Sequence, residues 1–246
     1  MPFEISNISI NERVQMLNGY YRHHAAIPVL RHALNDPIVG DVALVSSFGA
    51  ESVVLLQMVS LIKPETPVLF IDTEMLFPET LEYQVELSEK LGLKDVRVIK
   101  ADETAIAERD PSGTLHKSNP DACCALRKSE PLEKALSGFD AWITGRKRFQ
   151  SGQRAELTLF ENEDNKRIKI NPLSHWRKGD VRDYIVDNDL PRHPLVAKNY
   201  LSLGCAPCTS PVKDGENERS GRWRGVEKTE CGIHFDNGTT ARADAE

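Results

Sequence analysis

The sequence predicts an α/β protein: a Rossmann-like parallel sheet flanked by helices, with an N-terminal helical segment and a mobile C-terminal tail. Two observations carry that prediction. Short apolar runs recur at residues 42–45, 68–71, 96–99 and 141–144. Amphipathic helical stretches separate them, and strands alternating with helices read as a parallel sheet covered on both faces.

Taken in order, residues 11–35 read as helical, with Val14, Leu17, Tyr21, Ala25 and Leu30 loosely periodic. Pro28 should kink or divide that segment, because it lacks an N–H and crowds the preceding turn. The run 42–45 leads through a Ser/Gly turn into a helix over 51–62. The run 68–71 is followed by a helix from Pro78, a residue suited to a first helical position, to about Leu91. The run 96–99 follows. A helix then begins at Asn119-Pro120-Asp121, carries Cys123 and Cys124, and should bend at Pro131 before the run 141–144. Beyond Leu190 the texture turns to Pro, Gly and charge, so the chain from about residue 205 is expected to be a mobile tail.

With 246 residues, 40% hydrophobic and 28% charged, the chain suits one large domain, or one domain with a tail. A net charge of −6 argues against a general nucleic-acid binder. No apolar run is long enough to span a membrane, and Met1-Pro2-Phe3-Glu4 lacks the pattern of an export signal. A cytoplasmic setting is therefore expected, where cysteines serve metal binding or catalysis more often than disulfides. Two basic stretches stand out: Arg146-Lys147-Arg148 with Arg154, and Arg219 with Arg222 and Arg224. Solvated surface charge is the plain reading of both, and a site for an anionic small molecule the sharper one.

Ligands of open α/β sheets bind beyond the carboxyl ends of the strands. Three polar motifs fall there: residues 46–52, Asp72-Thr73-Glu74, and residues 144–148. The first, Ser47-Phe48-Gly49-Ala50-Glu51-Ser52, places hydroxyls and a glycine before a helix, where backbone N–H groups favour an anion. It lacks the Gly-Lys-Ser/Thr ending of a Walker loop, and a simple capping turn is the alternative. It resembles the Ser-Gly-Gly-x-Asp-Ser loop of the adenine-nucleotide pyrophosphatase superfamily, the adenine-nucleotide alpha-hydrolase-like fold. Phe48 stands where that loop has a glycine, which should hinder backbone approach to a second phosphate group.

Five cysteines divide into a touching pair, a Cys-x-x-Cys and one remaining thiol, Cys231. Adjacent cysteines make a strained disulfide and are unusual for structural zinc, so Cys123, Cys124, Cys205 and Cys208 read as four thiolates of a metal or iron–sulfur site. Zinc remains open from spacing alone, and a thioredoxin-like redox pair would need a strand-to-helix setting that Leu203-Gly204 and Thr209-Ser210-Pro211 do not offer. Arg127 and Lys128 stand within a helical turn of the pair and could balance an anionic cluster or face an anionic substrate. Cys231, between Lys228 and His234, is either an incidental thiol or a nucleophile with cationic neighbours to lower its pKa.

Several ordered motifs over about residues 40–235 resemble the assimilatory adenylyl-sulfate (APS) reductases, of the thioredoxin-dependent family that also holds the phosphoadenylyl-sulfate (PAPS) reductases. They are Ser-Phe-Gly-Ala-Glu-Ser, Ile71-Asp72-Thr73, Leu76-Phe77-Pro78-Glu79-Thr80, Cys-Cys-x-x-Arg-Lys, Cys-x-x-Cys, Arg-x-x-Arg-Trp and Glu-Cys-Gly-Ile-His. The resemblance implies a 4Fe-4S cluster on Cys123, Cys124, Cys205 and Cys208. It implies Cys231 as the nucleophile that attacks the sulfur of APS, expels AMP and carries an S-sulfo group until thioredoxin, or a glutaredoxin, releases sulfite. It also implies Ser47, Phe48, Gly49 and Ser52 as the nucleotide loop, with Asp72 and Thr73 near the adenosine. Lys128, Arg154, Arg219, Arg222 and His234 become the contacts for the phosphosulfate. Glu74 replaces the glycine of the usual Asp-Thr-Gly and could repel a 3′-phosphate.

The expected division is a nucleotide-binding reductase body over 1–204 and a segment with cluster ligands and the catalytic tail over 205–246. Expected partners are the thiol donor, APS and further copies of the chain, with no nucleic acid and no membrane. The alternatives are a PAPS reductase, an ATP-dependent sulfur or nucleotidyl transferase needing an intact Gly-Gly loop, and a colourless zinc-bound binding module.

Overall fold

Six strands form one sheet in the order β3-β2-β1-β4-β6-β5 in the computed structural model, which describes residues 8–150, 152–226, 228 and 233. The strands are β1 (Val42–Ser46), β2 (Val68–Ile71), β3 (Val96–Ile99), β4 (Ala141–Ile143), β5 (Phe160–Glu163) and β6 (Arg167–Ile170). All neighbours pair in parallel except β5, which runs antiparallel to β6.

The sheet's two faces follow from strand alternation. Leu44, Phe70 and Ile143 enter a large core with α1 (Ile10–Tyr21), α2 (Ala26–Ala33), α3 (Ser52–Ile62), α4 (Pro78–Leu91) and α9 (Lys178–Asp187). Ala43, Leu69 and Trp142, one residue out of phase, face Leu132 and Leu136 of α8 (Glu130–Leu136), and Ile233 packs there too. Helix α3 buries nearly its whole circumference, with Val53, Val54, Leu55, Leu56, Met58 and Val59 inside, because it packs on the sheet and touches α2, α4 and α9. Its N-terminus is thereby fixed at the end of β1.

The N-terminal helical segment divides at residues 22–25, ahead of Pro28, which sits in the first turn of α2 where a missing N–H costs nothing. After α5 (Glu103–Arg109), α6 (Leu115–Ser118) and α7 (Pro120–Cys124), the cysteine-bearing helix continues through a π-helical turn, Ala125–Ser129, into α8. The expected bend at Pro131 thus takes the form of a widened turn just before it, which accommodates the missing donor.

The hairpin β5–β6 lies outside the sequence prediction. Its three-residue loop runs from Asp164 to Lys166, with left-handed φ of 51° and 56° at Asp164 and Asn165, and the Lys166 N–H donates to the Glu163 carbonyl at 2.8 Å. Glu161, Glu163, Arg167 and Lys169 hide the strand pattern, because their charges are paired rather than solvated. Residues 205–226 pack on the body, with Cys205, Val212 and Trp223 buried, so the packed chain runs past the boundary where sequence periodicity ends.

Candidate active site

The strand order reverses between β1 and β4, and a cleft of about 230 Å³ opens at the carboxyl ends of those strands. Such a reversal parts the connecting loops and leaves a crevice, the usual ligand site of an open α/β sheet. Ser47, Gly49 and Ser52 border it after β1, Thr73 after β2, and Thr144 to Lys147 after β4. Lys128, Arg154, Arg219 and Arg222 complete it from more distant segments.

In the loop after β1, Phe48 holds φ of 47°, a conformation that costs an L-residue energy and that glycine adopts freely. Its ring turns into the core, edge to face with Phe70 at 5.2 Å between centroids. Phe48 therefore does not border the cleft, and its role is to shape the loop. The Phe48 N–H donates to Ser46 Oγ (3.2 Å), Gly49 N–H to Ser52 Oγ (2.9 Å), and Ser52 N–H to the Gly49 carbonyl (3.1 Å). The loop closes on itself more than an open phosphate cradle would.

Asp72 also lies outside the cleft lining. Its carboxylate accepts the Glu74 N–H (2.8 Å) and pairs with Lys100 (3.4 Å), bracing the turn that carries Thr73. Glu74 turns to Lys100 as well and does not border the cleft, so a carboxylate facing a 3′-phosphate from there has no support.

The basic run after β4 is largely committed. Arg146 pairs with Glu161 and donates to Asn171 Oδ1, Lys147 pairs with Glu51 (2.7 Å), and Arg148 Nε donates to the Leu157 carbonyl (2.8 Å). Arg148 does not reach the cleft. Arg154 does, and its guanidinium donates to the neutral Gln150 Oε1. Arg222 donates to the Leu203 carbonyl (2.9 Å), and its Nε is buried without a hydrogen bond among the described residues. A side chain at Gly204 would overlap that guanidinium, so the glycine lets it approach the backbone.

Cys123, Cys124, Cys205 and Cys208 border a second, smaller cavity beside the cleft, and Lys128 and Trp223 line both. None of the four is joined in a disulfide. Burial and the charge of Cys205 push the Cys123 and Cys208 thiols up, with Arg127 opposing the shift at Cys123 and Lys128 at Cys208. Thr73 Oγ1 lies 3.2 Å from Cys205 Sγ. Arg127 is buried and holds Asp110 (3.0 Å) and the Thr73 carbonyl (3.1 Å), tying the cysteine helix to the β2 loop. Among the described residues, no three or more His, Cys, Asp or Glu side chains gather as a single-ion site.

Cys231 and His234 lie outside the described residues, but Ile233 borders the cleft. Sequence reasoning did not foresee Trp223 as the wall between the two cavities, although it directly follows Arg222. It also passed over Gln150 and the buried His193, whose isolated positions give no motif.

Comparison with known proteins gives consistent matches in sequence and fold. Residues 41–211 match the phosphoadenosine phosphosulfate reductase domain. An adenosine 5'-phosphosulfate reductase of Mesorhizobium japonicum is 49% identical over 219 residues, 89% of this chain and 86% of that protein. One from Oceanobacillus iheyensis is 43% identical over 79% of this chain and 82% of its own length. The crystal structure of PAPS reductase from Candida auris superimposes with a TM-score of 0.70 at 28% identity, covering 83% of this chain and 98% of that one. Yeast FAD synthetase, at 18% identity and a TM-score of 0.53, covering 85% of this chain and 80% of its own, shares the fold alone. With a domain match spanning most of its length and relatives this similar, the chain belongs to the phosphoadenosine phosphosulfate reductase domain family.

Proposed function

We propose that this chain reduces APS to sulfite and AMP with thioredoxin as electron donor, through an S-sulfo group on Cys231. One observation carries the reading: Lys128, Arg154, Arg219 and Arg222 converge on a single cleft that Ile233, two residues from Cys231, also borders. The relatives named as APS reductases support the same substrate.

The phosphosulfate would lie against these cations, with Arg222 held ready on Trp223 and Leu203. The Cys231 thiolate attacks the sulfur, the bond from sulfur to the AMP oxygen breaks, and AMP departs with that electron pair. A thioredoxin thiolate then attacks Cys231 Sγ and expels sulfite. Its second thiol resolves the mixed disulfide, so the two electrons come from the dithiol.

Cys123, Cys124, Cys205 and Cys208 would hold a 4Fe-4S cluster. A single tetrahedral ion needs its sulfurs within about 4 Å of one another. Four cysteines outside any disulfide around one cavity, with no such tight group among the described residues, suit the wider corners of a cluster. Bound there, it would supply fixed positive charge that relieves the crowding of buried thiolates. Lys128, bordering both cavities, would carry electrostatic influence toward the substrate. A cytoplasmic location and self-association of the chain belong to the same reading.

PAPS is the second substrate to test, given the Candida auris structure. An ATP-dependent transferase is less favoured, because Phe48 and Gly49 N–H groups are already engaged within the loop.

The test is an assay of purified protein with reduced thioredoxin and APS or PAPS, with an iron analysis and mass spectrometry of the sulfonated intermediate. Sulfite from APS, an adduct on the peptide holding Cys231 and an inactive Cys231→Ser variant are expected. Sulfite production by that variant would reject the nucleophile.

A further inference from the structure

His193 is 1% exposed, and both its ring nitrogens are engaged. Nδ1 accepts the backbone N–H of Leu195 at 3.2 Å, and a backbone amide can only donate. Burial keeps the ring neutral near pH 7, so its one proton sits on Nε2. Nε2 lies 3.0 Å from Thr80 Oγ1 and must be the donor in that bond. The Thr80 hydroxyl is thus an acceptor toward His193, with its own proton left to give. Among the described residues it makes no second hydrogen bond, yet Thr80 is 2% exposed and borders the cleft. A buried hydroxyl with an unused proton, on a residue that borders a cavity, is a candidate donor to an acceptor on a ligand.

The surroundings indicate which acceptor. Leu55, Leu56 and Leu76, from α3 and the segment before α4, border the cleft on the Thr80 side of the sheet, whereas the arginines come from the chain after β4 and from 219–222. An apolar wall that offers a hydroxyl donor and no cation suits the face and edge of a heteroaromatic base better than a charged phosphosulfate.

Resting on the adenine-nucleotide reading above, we propose that Thr80 determines specificity for the base, donating its hydroxyl proton to a ring nitrogen of adenine. His193 is the positioning residue that fixes the direction of that bond.

Calorimetric titration with AMP and with 1-deaza-, 3-deaza- and 7-deaza-AMP tests this in the full chain. Wild type should bind AMP and lose about tenfold with one deaza analogue, the one missing the contacted nitrogen. Thr80→Val should lose about tenfold for AMP but show no further loss with that same analogue. Thr80→Ser, which keeps the hydroxyl, should stay within about twofold of wild type. His193→Asn should weaken AMP and be silent toward the same analogue, a pattern that a merely loosened fold would not give. If Thr80→Val binds AMP as wild type does, or loses equally on all four ligands, the proposal is wrong while the reductase reading stands. No AMP binding by wild type would remove that reading and this proposal together.

Discussion

Trp223 carries Arg222 on its ring face, with the guanidinium 4.3 Å from the ring centroid, while its backbone N–H donates to the Cys208 carbonyl at 3.0 Å. One residue therefore joins the cysteine segment to a cation of the cleft. The φ of 48° at Trp223 shows that the surrounding contacts hold it in a conformation it would not choose alone. Cation–π attraction at a partly dry site is worth about 0.5–2 kcal/mol. Trp223→Leu should therefore weaken AMP or APS binding about 3- to 30-fold, and Trp223→Phe should lose less. Titration of both variants checks this, and equal losses would assign the effect to bulk instead of the ring.

Arg127 and Asp110 form an ion pair with side chains only 6% and 1% exposed. Removing one partner from such a pair leaves a buried charge and costs about 3–5 kcal/mol. Burial pushes the Asp110 carboxyl up, but the Leu115 N–H and the Arg127 guanidinium more than offset it and hold the pKa below the usual range. Arg127→Ala should lower the urea-unfolding free energy by that amount, and Asp110→Asn combined with it should recover part of the loss. Because the same guanidinium binds the Thr73 carbonyl beside Cys205, iron content should fall with stability. A variant as stable as wild type would show that the pair is dispensable.

Strands β1, β2 and β4 were legible because each is an apolar run that the sheet largely buries on both faces, and the exposed edge strand β3 because three of its four residues are β-branched. The hairpin β5–β6 was not, since its charged residues are neutralised by partners distant in sequence, such as Arg167 with Glu133. The cleft residues were legible as motifs at strand ends. Their states were not: nothing local to residues 146–148 reveals that Glu161 and Glu51 claim Arg146 and Lys147. Phe48 shows the same limit. Its sequence position matches a nucleotide loop, and only the fold turns its ring into the core.

Phe48 sets two effects against each other. Truncating a buried aromatic ring costs about 3–5 kcal/mol, and glycine at a left-handed position regains about 1 kcal/mol of strain. Phe48→Gly should therefore be destabilised by about 3 kcal/mol, and Phe48→Ala by more, because alanine keeps the strain and loses the ring. Denaturant midpoints of the two variants decide it. An alanine variant more stable than the glycine one would refute the backbone argument.

His193 makes stability depend on pH in a window that its shift defines. Burial lowers its pKa from 6.5 to about 4, with Glu79 opposing the change more weakly. The unfolded chain takes up a proton near pH 6.5, whereas the folded chain resists until about pH 4. Between those values the unfolded state binds more protons, so stability falls as pH falls, and this contribution levels off below about 4. The full loss from this one group approaches about 3 kcal/mol. His193→Asn lacks the titration, so its unfolding free energy should lie below wild type near neutrality and draw closer to it as the pH drops toward 4. Carboxylates common to both proteins cancel in the difference. Urea titrations at half-unit pH steps measure it, and parallel curves for the two proteins would mean that His193 is not held neutral by the fold.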